Sequence, residues 1–442
     1  MYRHREFESL LRDRRILIAG YGREGKSTHN LLLRLVPDNP IIIASNDQEI
    51  ATALAQAREE DTPFDLIIKS PGIATMKFEG LCDLDTISSQ TDLFLQVYGD
   101  QTIGITGTKG KSTTTSLIHH ILTLSRGENC PTLLAGNIGI PLFDIVDQMD
   151  EQSLVVAELS CHQLENIHRA PHIGVILNLY QEHLDHYHNY LDYQMAKMQM
   201  ALRQHKSDHC FYCTDSETLA QRIEELRPQI VSTLHPYSLE EARHSSVRQL
   251  KSSLHGDHNL SNIYLAQQVT RLLGVPDSLF AEALASFQGL PHRLEQVGTY
   301  GGITFYNDSI STIPEATINA VEALQQVDTL ILGGFDRGID YSPLEQYLAS
   351  PTPAARHIRH LVFVGEAGKR IYQQLKEMPQ HPLERMDALL VENDYPTIVD
   401  WCFAHTQPGT ICLLSPAAAS YDRFKNFEER GNTYKKLVST HQ

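Results

Sequence analysis

The stretch Ile103-Gly104-Ile105-Thr106-Gly107-Thr108-Lys109-Gly110-Lys111-Ser112-Thr113-Thr114-Thr115 decides the fold. Its first four residues read as a buried strand and its glycines as a turn, and the run on through Leu117, Ile118, Ile121 and Leu122 reads as a helix. A helix start presents unpaired backbone amides and positive partial charge. With Lys111 able to reach β- and γ-phosphates and Ser112 able to meet Mg²⁺, the expectation is an ATP phosphate loop over Thr108–Thr113. The competing reading is a glycine-punctuated structural turn.

Upstream lies a rival. The strand Arg15–Ala19 runs into GYGREG, Gly20–Gly25, and then into a helix around Leu31–Leu35. Gly20–Ser27 satisfies the regular GxxxxGKS pattern, which the loop at Gly107 misses. The second loop is preferred because it joins strand, turn, lysine and hydroxyl at a helix start, and Lys26 is assigned to the mouth of a different anion site. Asp47, after the strand Ile41–Ala44, stands where a dinucleotide enzyme would hold a ribose. A third strand, Phe64–Lys69, opens into Ser70-Pro71-Gly72, a loop at a strand's carboxyl end where open α/β sheets bind ligands.

Downstream, Leu154–Glu158 is an apolar strand ending in a carboxylate, and Ile173–Asn178 leads into Gln181-Glu182-His183-Leu184-Asp185-His186. Adjacent parallel strands would bring Glu158 and His183 to one rim, where they could serve Mg²⁺; strand order is not legible from sequence. A zinc cluster of His183, Asp185, His186 and His188 is set aside, because no thiolate pair or HExxH accompanies it. The helix from Asn189 should turn Leu191, Met195 and Met198 inward, and Lys197 alone reads as an exposed charge. Asn259 and Asn262 can bond an adenine or cap a helix, and Arg293 can meet phosphate or a domain seam. Near residue 298 a new α/β sheet begins, with the segment Thr304–Ser309, strands around Thr329–Leu332 and Leu361–Val364, and finally Thr410–Ser415.

A chain of 442 residues is long enough for about three domains. Its net charge of -17 gives no global support for a polyphosphate partner, so nucleic acid is not expected. Seven cysteines with a lone CxxC at Cys210 and Cys213 fit a reducing cytoplasm. No run approaches the roughly 20 apolar residues of a membrane span, and no stable membrane insertion is expected.

Taken in order, GTKGKSTTT, Glu158, Asn178 with Glu182-His183-Leu184-Asp185, GDHNxxN, PHRLE and NDS resemble the ATP-dependent Mur ligase family over essentially the entire chain. The GxGxxG start with SPG, AELSCHQL at Ala157–Leu164, and SPAAASYDRFKNFEERG resemble members that join D-glutamate to UDP-N-acetylmuramoyl-L-alanine. The resemblance implies a three-domain α/β architecture: a Rossmann-like UDP-sugar domain over 1–97, a P-loop ATPase-like domain over 98–297, and a Rossmann-like amino-acid domain over 298–442. A monomer is expected.

The same resemblance implies roles. Gly22, Arg23, Ser70, Pro71 and Gly72 lie near the uridine diphosphate and Asn137 near the muramoyl group. ATP meets Thr108, Lys109, Gly110, Lys111, Ser112, Thr113, Asn262, Arg293 and Asp308. Ser112, Glu158, His183 and a carbamylated Lys197 hold Mg²⁺, and Thr312, Arg337, Ser420, Tyr421 and Phe427 surround D-glutamate. Ile310 departs from the family, where a lysine is familiar. The alternatives are a sister ligase with another acceptor, or an NAD-dependent oxidoreductase built on Gly20–Gly25.

Overall fold

The computed structural model describes residues 2–182, 186–254, 256–378 and 382–441. The apolar runs Ile16–Ala19 (β1), Ile41–Ala44 (β2) and Leu66–Lys69 (β3), with the short Ile87–Ser88 (β4), form a parallel sheet in the order β2-β1-β3-β4. β1 and β3 are buried at every position, as parallel strands covered on both faces must be.

Six parallel strands make the second sheet: Thr102–Thr106 (β5), Thr132–Gly136 (β6), Leu154–Glu158 (β7), Ile173–Ile176 (β8), His209–Cys213 (β9) and Thr233–Tyr237 (β10). Their order is β10-β9-β8-β5-β7-β6. β5 therefore lies between β7 and β8, and the carboxyl ends of all three converge beyond the sheet. Chain order reverses at this point, which opens the crevice where doubly wound sheets bind ligands.

The third sheet holds Glu295–Tyr300 (β11), Ile303–Asn307 (β12), Val327–Gly333 (β13), His360–Val364 (β14), Asp387–Val391 (β15) and Ile411–Leu414 (β16), ordered β11-β12-β16-β13-β14-β15. All pairs are parallel except the β11–β12 hairpin. That hairpin turns on Gly301 and Gly302, both at positive φ (58° and 80°), the backbone a tight two-residue turn demands.

The chain forms two compact units, Met1–Ser252 with Asp257–Phe287, and Gln288–Gln442 with Ser253–Gly256. In the first, one apolar core serves both sheets. Phe7, Ile16, Phe94 and Tyr98 share a cluster with Phe143, Val155 and Met198, and Phe7 meets Phe143 edge-on at 5.6 Å. No helix among the described residues is long and apolar enough to cross a membrane.

The helix Tyr190–Leu202 corrects two readings. Leu191 points outward at 47% exposure, and Lys197 is buried at 2%. The buried stripe runs through Tyr193, Ala196, Lys197 and Met200, spaced i, i+3, i+4, i+7. Hydrophobic periodicity cannot find a stripe that contains a lysine.

Candidate functional site

The loop after β5 ends where the helix Lys111–Arg126 begins, so Lys111, Ser112 and Thr113 are its first three residues, whose amides have no partner within the helix. Gly107 (φ 148°) and Gly110 (φ 86°) make the turn possible; a Cβ on Gly107 would sit 2.9 Å from that of Leu177. Asn178, just beyond β8, clamps the loop. Its Oδ1 accepts from the amides of Thr108 (3.0 Å) and Lys109 (2.8 Å), and its Nδ2 donates to the Lys109 carbonyl (3.0 Å). The Thr108 hydroxyl meets the Tyr193 hydroxyl at 2.7 Å and accepts from the Tyr180 amide at 2.9 Å. Thr108 thus anchors the loop, and the helix start is left as its anion-facing end. Asn262 packs on the same turn, 3.3 Å from where a Gly110 Cβ would stand.

Two lysines converge on this backbone. Lys111 Nζ donates to the carbonyls of Gly107 and Thr108, both at 2.9 Å, and Lys197 Nζ donates to Gly107 at 2.9 Å. Burial, reinforced by the nearby Lys111 charge, lowers the Lys197 ammonium to a pKa of about 8. Glu158, at the end of β7, is 1% exposed; its Oε1 accepts from Asn137 Nδ2 at 2.5 Å. Its Oε2 is buried with no hydrogen-bond partner among the described residues. A buried carboxylate oxygen left unpaired is costly, and a cation at that oxygen would remove the cost. His183 lies outside the described residues.

The N-terminal loop is tightly built. A Cβ on Gly25 would come within 2.1 Å of the Gly20 carbonyl, and Ser70 Oγ donates to that carbonyl at 2.9 Å. Gly22 precedes the helix Arg23–Leu35, and Arg23 reaches the Gly139 carbonyl beside Asn137. Pro71 is half-buried and Gly72 exposed at the rim. Asp47 pairs instead with Lys77 at 2.6 Å.

In the second unit Asp308 is 2% exposed, accepts from the Leu294 amide (3.1 Å) and Ser415 Oγ (2.7 Å), and is pushed up to a pKa of about 6 by burial. Arg293 is exposed nearby, and its charge pulls the Asp308 carboxyl down. Arg337 donates to the Thr312 carbonyl at 2.9 Å. Ser420 is buried, Tyr421 is 67% exposed, and the Phe427 carbonyl accepts from Ser309 Oγ at 2.8 Å. Ile310 is half-buried.

Three positions carry weight that the sequence reading gave no role. Asn178 holds the loop, and its place after an apolar strand was the available signal. Lys69, 2% exposed, pairs with Glu165 at 2.8 Å, and only a charge inside an apolar run hinted at it. Arg430, 1% exposed, donates to Ser309 and to the carbonyls of Ala418 and Ala419; nothing in its helix distinguished it from a surface arginine.

A parallel sheet whose central strand enters a glycine turn and a lysine-led helix, with a buried acid on the next strand, defines a phosphate-loop α/β protein. Residues 105–270 match the family described as the Mur ligase middle domain. A UDP-N-acetylmuramoylalanine--D-glutamate ligase from Desulfitobacterium hafniense is 33% identical over 396 residues, spanning 85% of this chain and 84% of the relative. One of the same name from Bacillus subtilis is 30% identical, spanning 97% and 98%. Among solved structures, a UDP-N-acetylmuramate-alanine ligase from Thermotoga maritima aligns with TM-score 0.57 at 17% identity, over 97% of this chain and all of that one. A MurF ligase of the same organism, in complex with ADP, aligns at 0.56 and 15% identity over 98% and 97%. The chain belongs to the Mur ligase family.

Proposed function

We propose that this chain joins D-glutamate to UDP-N-acetylmuramoyl-L-alanine with ATP, forming ADP and phosphate in the cytoplasm. The observation that carries the reading is the convergence of Lys111 and Lys197 on one helix-start loop, beside the strand that ends in Glu158, whose Oε2 has no hydrogen-bond partner among the described residues. The names of relatives 30% or more identical supply the substrates. The division into residues 1–97, 98–297 and 298–442, for donor, nucleotide and acceptor, belongs to the same proposal.

A carboxylate is a poor electrophile, so its oxygen first attacks the γ-phosphorus. The bond to the β–γ bridging oxygen breaks and ADP leaves. The amine of D-glutamate then attacks the acyl carbon, loses a proton, and expels phosphate as the amide forms. Lys111 exchanges its two carbonyl partners for phosphate oxygens, and the amides of Lys111, Ser112 and Thr113 stabilise transferring charge. Thr108, Lys109 and Gly110 shape the turn, and Asn262 supports it.

Mg²⁺ would neutralise phosphate charge, held by Ser112, Glu158, His183 and a carbamylated Lys197. Near its pKa of about 8, Lys197 presents a neutral amine that can attack CO₂ and lose a proton, becoming an anionic oxygen donor. Gly22, Arg23, Ser70, Pro71, Gly72 and Asn137 are proposed to hold the donor. On the second unit, Arg293 and Asp308 are proposed nucleotide contacts, and Thr312, Arg337, Ser420, Tyr421 and Phe427 acceptor contacts.

The test is phosphate release and product mass with ATP, Mg²⁺ and the donor, comparing D-glutamate with L-glutamate, L-lysine and no acceptor. Amide product with D-glutamate alone supports the reading. Turnover with a different amino acid instead would reassign the acceptor, and nicotinamide turnover without ATP would overturn the reading.

A further inference from the structure

We propose that His162, Glu165 and His186 form a site for a divalent transition-metal ion of the zinc class, separate from the phosphate loop. This inference goes beyond the ligase reading and does not rest on it. Among the described residues these are the one trio of metal-ligating side chains whose ligand atoms lie together, all within 4.8 Å of one another.

The geometry is close to what an ion needs. Glu165 Oε1 lies 2.9 Å from His186 Nε2 and 3.8 Å from His162 Nδ1. Around a tetrahedral ion with bonds of roughly 2.0–2.1 Å, ligand atoms stand roughly 3.3 Å apart, so the two edges bracket the required value. His162 and Glu165 sit in and just after the short helix Cys161–Leu164 that follows β7, three residues apart and on one face.

The carboxylate is already oriented for the task. Its other oxygen, Oε2, accepts from Lys69 Nζ and Thr75 Oγ1, both at 2.8 Å, and Lys69 is fixed in turn by the Ile73 carbonyl at 2.9 Å. One oxygen is held from behind while the other faces two imidazoles, an arrangement in which outer partners aim a ligand at its metal. Two imidazole nitrogens with one carboxylate suit zinc, cobalt or iron(II) far better than Mg²⁺ or Ca²⁺, which prefer all-oxygen shells.

Room for a fourth ligand exists. A cavity of about 250 Å³ is lined by Glu165, His186, Tyr187 and Asn166, and its walls also carry Glu79 and Asp192, whose charges offset Lys69. None of the phosphate-loop residues lines it. A water or a ligand oxygen entering from this cavity would complete the shell. Without an ion, the same residues are a proton-sharing His–Glu–Lys network, and the experiment separates the two.

Full-length protein stripped with chelator is titrated with Co²⁺ in excess Mg²⁺, which covers oxygen-rich sites, and visible absorption is followed. The expected result is one equivalent of Co²⁺ with nitrogen-ligand absorption, displaced by Zn²⁺, and a Zn²⁺-dependent rise in Tm. His162→Phe and His186→Gln should each weaken binding at least about tenfold and abolish the Tm rise. If one of these does not fold, the other is read together with Glu165→Gln, whose amide can still meet Thr75. Substoichiometric Co²⁺ uptake, or affinity in the folded variants within about twofold of the parent, overturns the site and leaves the hydrogen-bonded network.

Discussion

Gly20–Ser27 and Gly107–Ser112 share a vocabulary of strand, glycines, lysine and serine, and they differ in phase. In the first, the helix begins at Arg23, so Lys26 and Ser27 are its fourth and fifth residues, past the orphan amides, and the Lys26 amide already donates to the Gly22 carbonyl at 3.0 Å. Lys26 points to solvent and Ser27 Oγ donates to Asp144 at 2.6 Å. Glu24 occupies the first turn, its carboxyl raised by burial and bonded to Gln163 at 2.8 Å. In the second, the helix begins at Lys111 itself. Orphan amides and the positive end of the macrodipole belong to the first turn, so the loop that fails the spacing pattern is the one that sets its lysine and hydroxyl beside them, as the proposed phosphate site requires. A pattern match locates residues, whereas anion binding depends on where the helix starts.

The harshest way to break this comparison is to remove each lysine. Lys111→Ala should cut ADP formation by about a thousandfold or more, while donor binding persists in calorimetry. Lys26→Ala should shift the ATP KM by less than about threefold. The reverse pattern in steady-state kinetics would exchange the two loops.

Burial sharpens the contrast between Lys197 and Lys26. The Lys197 pKa is lowered to about 8 from 10.5, so between those values the unfolded chain binds the extra proton and stability rises with pH. In CO₂-free buffer, the stability of the parent relative to Lys197→Met should therefore climb by on the order of 3 kcal/mol from pH 8 to 10.5. Chemical denaturation across that range reads it, and a flat difference would mean that the amine is solvated. With substrates, Lys197→Ala should be inactive and bicarbonate should not restore it.

Smaller effects test the clamps. Asn178→Ala frees two loop amides and should cost about 1–3 kcal/mol of stability, with a raised ATP KM. Ser27→Ala removes one hydrogen bond to Asp144 and should cost about 1 kcal/mol with the ATP KM unchanged. Asp308 gives the opposite pH sign. Its pKa is raised to about 6 from 3.8, so its contribution falls as pH climbs through that window, and Asp308→Asn should abolish the slope.

Much of this was legible because it is local. The strands at Ile16, Ile41, Leu66, Ile103, Leu154 and Ile173 announce themselves as short apolar runs closed by glycine or polar residues, and the glycine turn from β5 into the helix at Lys111 is contiguous. Illegible features depend on strand order or on a charge inside a buried stripe. That β7 and β8 flank β5, bringing Glu158 and Asn178 to one loop, is a fact of sheet topology. Lys197 broke the periodic reading of its helix, and His186 was grouped with its sequence neighbours when its spatial partners are His162 and Glu165.

Arg430 bears on the timing of assembly. Its guanidinium fastens the turn at Ser309 and the carbonyls of Ala418 and Ala419, which precede Ser420. During synthesis these turns emerge before the helix Phe427–Thr440 that locks them. The surface they shape is therefore set by a side chain supplied from the helix that follows them, and it depends on that helix docking.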